Sequence, residues 1–527
     1  MVSGGMLIAP RDVLIQNQVA ERPSRRSSER TKSRPLTAVG CVVRASTRTG
    51  INRLTEPVGS EPEPTGSWAE IFRGRNGLYT LILNLGMLLF AINQFVVATV
   101  MPTVVADLGG VVYYTWAFSL FAVGAIIGAG SAGPLREAFG VRPTYAAAGL
   151  ILAVGLAGSA LAADMPTMVG FRLVQGLGGG AVASHAYGLV ATIFPQQLRS
   201  RVLMVVSTVW GVATAGGPAY GAVFAETHLW PWAFWTLTPF AVIFACLAWR
   251  YIEGSTGHGR LSQIPYWRLA LFALAVLMLS VTSLFDEVWI VGALVIAAVI
   301  VTAIAFQRDR RSERRIFPRQ TIAIATELGA TCWIFFFVSM VMAFVNTFTT
   351  FYLQALHGVA PLAAGYLFAC QSFMWTAAAF VVASVPPARE PLAIVAGLML
   401  LVIASLGVAF TVEPGPVVLI AVFIGLSGVG IGFLNNPAVQ RIIAVAPEEE
   451  RQMAGTSVQA IRNIGIAFGA AAAGMVAAVA GLVDGAPRPV VANAMEWVFG
   501  VNVMFALAAL AIGIRMLLRQ RPTTVRG

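Results

Sequence analysis

The sequence predicts an all-α integral membrane protein with fourteen transmembrane helices. Three observations predict it. The 527 residues are 57% hydrophobic and 11% charged, with a mean hydropathy of +0.77, a surface that water could not solvate in a chain of this length. Apolar runs of about twenty residues, enough to cross a hydrocarbon core as a helix, recur along the chain. Basic residues gather in alternate loops, as the positive-inside rule requires.

Residues 1–75 are rich in Arg, Ser, Pro and Thr without sustained periodicity, which predicts a disordered basic cytoplasmic tail. No apolar core follows its charges, so it does not read as a signal peptide. Trp68 to Arg75 is expected to form a short interfacial helix leading into the membrane. Six apolar runs follow, at 77–101, 112–132, 143–163, 166–191, 202–225 and 231–250. Two more lie at 267–285 and 288–307. Six others cover 329–354, 361–384, 391–411, 416–437, 454–482 and 494–517.

Loop charge checks this count. One alternating set of loops carries Arg136 and Arg142; Arg199 and Arg201; Arg250 and Arg260; Arg308, Arg310, Arg311, Arg314, Arg315 and Arg319; Arg389; and Arg441 and Arg451. The other set holds Asp107, Asp164, Glu226, His228, Asp286, Glu287, Glu413 and Asp484, with Arg488 as its one arginine. The asymmetry places both termini in the cytoplasm and requires an even number of helices. The net charge of +11 follows from these loops and tails, so no nucleic-acid partner is expected. The four cysteines, Cys41, Cys246, Cys332 and Cys370, show neither metal spacing nor a disulfide framework and read as packing residues. No metal or cofactor is expected. Paired catalytic carboxylates, HExxH, a nucleophile elbow and Walker A are all lacking, which argues against an enzyme and against ATP-driven transport.

Three motifs carry the functional reading. Gly133-Pro134-Leu135-Arg136-Glu137-Ala138-Phe139-Gly140-Val141-Arg142 reads as a charged turn between the second and third runs. Gly140 supplies the backbone conformation of a tight turn, and Glu137 suits a neighbouring helix N-terminus. Arg172-Leu173-Val174-Gln175-Gly176-Leu177-Gly178-Gly179-Gly180 places an arginine inside the fourth run. Such a charge is costly unless it faces an interior cavity or a partner. Gly216-Gly217-Pro218-Ala219-Tyr220-Gly221 lets helix backbones approach closely and removes one helical hydrogen bond in the fifth run. The glycines at 178–180 and Gly428, Gly430 and Gly432 read as packing residues, because no βαβ context makes either run a nucleotide loop.

Taken in this order, the three motifs resemble motifs A, B and C of the major facilitator superfamily, the last being associated with its drug:proton antiporters. The layout of six, two and six helices resembles the fourteen-helix branch. So do Phe351-Tyr352-Leu353-Gln354-Ala355-Leu356-His357-Gly358 with Pro361-Leu362-Ala363-Ala364-Gly365-Tyr366, and Arg462-Asn463-Ile464-Gly465. The resemblance covers about residues 75–517. It implies a major-facilitator fold: an N-terminal half at 76–251, linker helices and loops at 252–320, a C-terminal half at 321–518 and a tail at 519–527. A faint echo of Ala91-Ile92-Asn93-Gln94-Phe95 in Val345-Asn346-Thr347-Phe348 suits two repeats around a midplane cavity.

The resemblance further implies a plasma-membrane exporter, expected as a monomer, that exchanges an amphipathic small molecule or drug for protons by alternating access within a lipid bilayer. It assigns coupling or gating to Arg172, Glu137, Gly140, Arg142, Gly217, Pro218 and Gly221. Two departures stand out. Glu137 replaces the usual aspartate of the first motif and Val141 a basic residue. Asn93 stands where an acid is common, and an amide carries no proton. Asn93 and Asn346 are therefore expected to hydrogen-bond in a cavity. Gln175, His185, Glu226, Trp210, Phe348 and Arg462 are further cavity candidates, with Glu226 a possible ion-pair partner of Arg172. Asn435 and Asn436 join Arg462 near the expected inner gate. The alternatives are a facilitator or uniporter of an anionic metabolite, and a transport-inactive receptor or scaffold.

Overall fold

The computed structural model describes residues 68–254, 266–285, 287–312, 315–382, 385–386, 389–413 and 415–519. The basic tail as far as residue 67 with Cys41, Arg260, Asp286, Arg314 and residues 520–527 lie outside them.

A short 3-10 turn over Trp68–Ile71 precedes α1 (Gly74–Leu108). This is shorter than the interfacial helix expected to Arg75. Then come α2 (Trp116–Phe139), α3 (Val141–Ala160), α4 (Met165–Ile193) and α5 (Gln196–Glu226), followed by α6 (Trp230–Trp235) and α7 (Leu237–Tyr251), which are one crossing interrupted at Thr236. The linker contributes α8 (Tyr266–Val281) and α9 (Val288–Arg311). The second half holds α10 (Glu327–Ala355), α11 (Pro361–Val382), α12 (Glu390–Thr411), α13 (Val417–Val445), α14 (Arg451–Val479) and α15 (Arg488–Arg519). Among the described residues thirteen of these crossings are long and apolar enough to span a membrane; α4, at 29 residues, is long enough but less apolar. Its arginine, histidine and glycines lower its hydropathy, and its flanks rest on α2 and α3.

Close packing follows from the glycines. A Cβ on Gly176 would lie 2.0 Å from the Phe121 carbonyl oxygen, and one on Gly180 2.3 Å from that of Ala125. From α2, Gly124 and Gly128 meet α4 the same way, each 2.1 Å from a carbonyl oxygen. Without competing hydrophobic drive inside lipid, such backbone approach is what holds helices together. The second half repeats the pattern: a Cβ on Gly428 would sit 2.0 Å from the Gln371 oxygen. The pairings α2–α4, α3–α4, α1–α5 and α3–α7 recur as α11–α13, α12–α13, α10–α14 and α12–α15. The halves are thus two copies of one arrangement. They meet through α2 against α14 and α11 against α5, which are equivalent pairs.

The first motif departs from its expected form. α2 continues through Pro134 to Phe139, and only Gly140, at φ +87°, makes the turn, a conformation costly for residues with a Cβ. Glu137 lies on the last turn of α2, exposed, and caps no helix among the described residues.

Candidate functional site

Alternate loops converge at one end of the bundle. Asp484, between α14 and α15, accepts from Gly110 N and Val111 N, both at 2.8 Å, between α1 and α2. Gly110 rests on Met165 at the start of α4. His228 Nδ1 lies 3.4 Å from Asp107, Ser283 donates to the Val112 carbonyl, Arg488 donates to that of Leu356, and His357 Nε2 lies 2.8 Å from that of Val412. All seven loops expected on one side thus form a single network. Below it, Tyr114 donates to the Thr347 carbonyl at 2.9 Å and Thr350 to that of Ala98 at 2.5 Å, again joining the halves. Phe348 is sealed here under Tyr114 and Phe351. Its expected place on a cavity wall is therefore corrected: it is part of this seal.

The arginine-rich end is tied differently. Arg75 pairs with Glu253, Arg201 covers Trp68 and Arg142 covers Trp249, all within the first half. Arg441 bonds Glu327, and Arg519 donates to the Ala325 carbonyl, within the second. Arg315 pairs with Glu450 at 2.7 Å. The buried Asp309 on α9 accepts from Arg268 on α8 and from Ile316 N and Phe317 N, which closes the linker. Among the described residues these ties lie within one half, within the linker, or between the linker and the second half.

Arg172 lies seven residues inside α4 and is 1% exposed. Its Nε donates to the Ala117 carbonyl on α2 at 3.0 Å. Its Nη1 donates to Asn93 Oδ1 on α1 at 2.9 Å and to Gln175 Oε1 at 2.5 Å. Asn93 Nδ2 donates to the same Gln175 oxygen at 2.9 Å, and Gln175 Nε2 reaches the Gly155 carbonyl and Ser159 on α3. The Phe121 ring covers the guanidinium at 4.2 Å. Neutral dipoles and one π face therefore solvate this cation and tie four helices together. Among the described residues it forms no ion pair. Glu226, exposed at the end of α5, does not meet it, which corrects the expected pairing. Asn93 and Gln175 are ligands of the arginine, not open cavity groups, because its donors need both oxygens.

His185 is also corrected. It faces α3: Nδ1 lies 2.8 Å from the Ala181 carbonyl, Nε2 3.0 Å from Thr144 Oγ1, and its ring stacks on Tyr145. Two partners and a stacked ring make it a satisfied core residue, away from the space between the halves. Asn346 differs from its counterpart Asn93, since its buried Oδ1 has no partner among the described residues.

Gly217 and Gly221 admit α1: a Cβ would lie 2.5 Å from Phe95 Cβ and 3.0 Å from Thr99 Cβ. Pro218 instead meets Gly365 on α11, and Tyr366 donates to the Ala215 carbonyl exposed nearby. The glycine-proline motif therefore sits where α1, α5 and α11 join.

Toward the arginine-rich end, Trp210 on α5 packs edge-on to Phe90 and approaches the Tyr187 hydroxyl on α4. Tyr187 is 49% exposed and within electrostatic reach of Arg462 on α14. Arg462 lies 5.7 Å from the Phe335 ring and 5.8 Å from the Trp375 ring, and its Nη2 donates to Asn435 Oδ1 at 2.5 Å. Neither Tyr187 nor Asp484 was singled out as a site residue. Only the crossing of halves, which sequence distance hides, gives them a role.

A family model described as "Major Facilitator Superfamily" matches residues 83–439. The chain is 30% identical to a probable multidrug-efflux transporter of Mycobacterium tuberculosis, over 78% of this chain and 90% of that one. It is 21% identical to a riboflavin transporter of Clostridioides difficile, over 74% and 86% of the two chains. Among solved structures it resembles a bacterial homologue of the human lysosomal transporter Spinster, inward-facing and occupied, with a TM-score of 0.60 at 14% identity over 86% and 98%. It also resembles a D-xylose–proton symporter, at 0.58 and 15% over 83% and 97%. At these identities the structures speak for the fold.

Proposed function

The chain belongs to the major facilitator superfamily, a class of transporters and not of enzymes, and from that premise we propose that it exports amphipathic small molecules or drugs in exchange for protons by alternating access. The observation that carries alternating access is the unequal lacing of the halves. They are hydrogen-bonded to each other at the Asp484 end, whereas at the arginine-rich end the hydrogen bonds and ion pairs among the described residues lie within one half or between the linker and the second half. The relatives named for multidrug efflux support the substrate class and direction. The aromatic side chains Tyr187, Trp210 and Trp375 supply adaptable apolar surface for a substrate cleft between the halves.

In this reading the arginine-rich end and both termini face the cytoplasm of a plasma-membrane protein, and substrate enters there. Outward opening parts Asp484 from Gly110 and Val111 while the α1–α5–α11 junction at Gly217, Pro218 and Gly221 serves as pivot. Glu137, Gly140 and Arg142 shape the hinge between α2 and α3. Coupling is placed at Arg172, whose cation must be resolvated by Asn93, Gln175 and Ala117 whenever α1, α2 and α4 shift.

The test is efflux of a panel of lipophilic dyes from cells expressing the protein, with and without a protonophore, for the natural chain and Arg172→Ala. Protonophore-sensitive efflux that Arg172→Ala abolishes is expected. Efflux indifferent to the protonophore replaces antiport with facilitated transport, the second reading, which the amide of Asn93 favours. No flux of any dye overturns the exporter.

A further inference from the structure

We propose that Arg462 is an anion anchor, so that the cleft selects planar aromatic substrates carrying a carboxylate or phenolate. This rests on the transporter reading and names its substrate class.

Three observations support the anchor. First, Arg462 lacks a neutralising partner. Its Nη2 is bonded to the neutral Asn435, and among the described residues its Nε and Nη1 have no acceptor. Other arginines at this end pair with acids, as Arg315 does with Glu450 and Arg441 with Glu327. A guanidinium left with two donors favours an acceptor with paired oxygens, because its fork matches a carboxylate bidentately. Second, Arg462 is held rather than mobile. Phe335, 2% exposed, and Trp375 flank it at 5.7 and 5.8 Å, so less side-chain freedom is lost when a ligand binds. Their π faces also favour retention of its charge. Third, Tyr187 of the other half lies within electrostatic reach of it, and its exposed ring offers a stacking surface and its hydroxyl a donor. An anionic aromatic therefore meets compatible groups on both walls.

The other interior arginine does not compete. Arg172 is buried with its named donors occupied by Ala117, Asn93 and Gln175. Its charge nevertheless adds to that of Arg462, and neither forms an ion pair among the described residues. The region between the halves is thus biased toward anions.

Two xanthene dyes of opposite charge test this. The full-length protein in neutral lipid nanodiscs is titrated with fluorescein, an anion, and with rhodamine 6G, a cation, by fluorescence anisotropy. Fluorescein is expected to bind at least about tenfold more tightly, and Arg462→Gln to remove that preference, as befits loss of a charge-assisted contact. Arg462→Lys should keep part of it, since the charge remains without the fork. Unchanged thermal unfolding of both variants separates site loss from misfolding. Equal or tighter binding of rhodamine 6G, an unaltered fluorescein affinity in a folded Arg462→Gln protein, or saturable binding of neither dye overturns the anion anchor. Export is measured beside it: rhodamine 6G efflux from a protein that shows no preference for fluorescein leaves the exporter standing while the anchor falls. Fluorescein binding without export of either dye keeps the anchor and removes the exporter.

Discussion

Arg172 and Asn93 are joined across α4 and α1 by a 2.9 Å hydrogen bond in which a buried cation rests on an amide oxygen. Truncating one partner of such a pair is more damaging than the bond's net contribution, because the remaining charged group is left desolvated. Asn93→Leu is therefore expected to destabilise the protein by about 1–3 kcal/mol, lowering the thermal unfolding midpoint of the purified protein. Asn93→Asp should retain the midpoint, because its oxygen still accepts from Nη1. Equal midpoints for Asn93→Leu and the natural chain would show that the guanidinium is solvated by other groups.

Asp484 accepts from two successive backbone N–H groups of the opposite half. Asp484→Ala leaves both donors without their acceptor and should weaken closure at that end by about 1.5–3 kcal/mol, roughly a tenfold or larger shift toward the open state. Spin–spin distances between labels on the α1–α2 and α14–α15 loops should broaden toward longer values. An unchanged distribution would remove Asp484 from the gate.

Glycine substitutions should divide by position. Gly176→Ala puts a methyl carbon 2.0 Å from the Phe121 carbonyl oxygen, a backbone atom that cannot yield cheaply, so overpacking of about 1–3 kcal/mol or more and loss of monodisperse protein are expected. Gly211→Ala meets nothing within 4 Å and should be neutral or stabilising by up to about 1 kcal/mol through helix propensity. Size-exclusion profiles and unfolding midpoints of the two variants settle the contrast.

Asn502 on α15 is fully buried and both its side-chain polar atoms lack partners among the described residues. An unpartnered amide costs free energy that an apolar side chain of similar size does not. Asn502→Leu should raise the unfolding midpoint by a few degrees and leave efflux unchanged. A fall in efflux with preserved folding would instead reveal a ligand or water held there.

Asp164 caps α4 by accepting from Thr167 N at 2.7 Å, and that backbone hydrogen bond holds its carboxyl below the ordinary carboxylate value. Its contribution is thus complete above an unfolded pKa of about 3.9 and is lost as pH falls through the lower folded value. Asp164→Asn should lower the unfolding midpoint slightly above about pH 4, a difference from the natural chain that vanishes as pH falls further, and leave any pH dependence of efflux between pH 5 and 8 intact, measured as dye efflux across that range.

Much of this was legible beforehand for physical reasons. Fourteen helices follow from hydrocarbon thickness and loop charge, which are local properties. Arg172 announced itself because a charge within an apolar run must find partners. Gly140 did so because a charged stretch between two helices needs a sharp turn. The same logic named wrong partners: Glu226 for Arg172, a cavity for His185 and for Phe348. Residue type shows that a group needs a partner, but not which helix face supplies it.

The sequence by itself determined an all-helical membrane fold, the family and the presence of an interior cation. Each rests on composition, period or a motif contiguous in the chain. Only the tertiary structure decided that Arg172 is solvated by amides and carbonyls, that Asp484 bonds a loop 373 residues away, and that Tyr187 comes within electrostatic reach of Arg462. Those relationships depend on the rotation of each helix about its axis and on which ends of the two halves touch. Both are set by the glycine contacts between backbones, summed over the whole bundle, and no single segment encodes them.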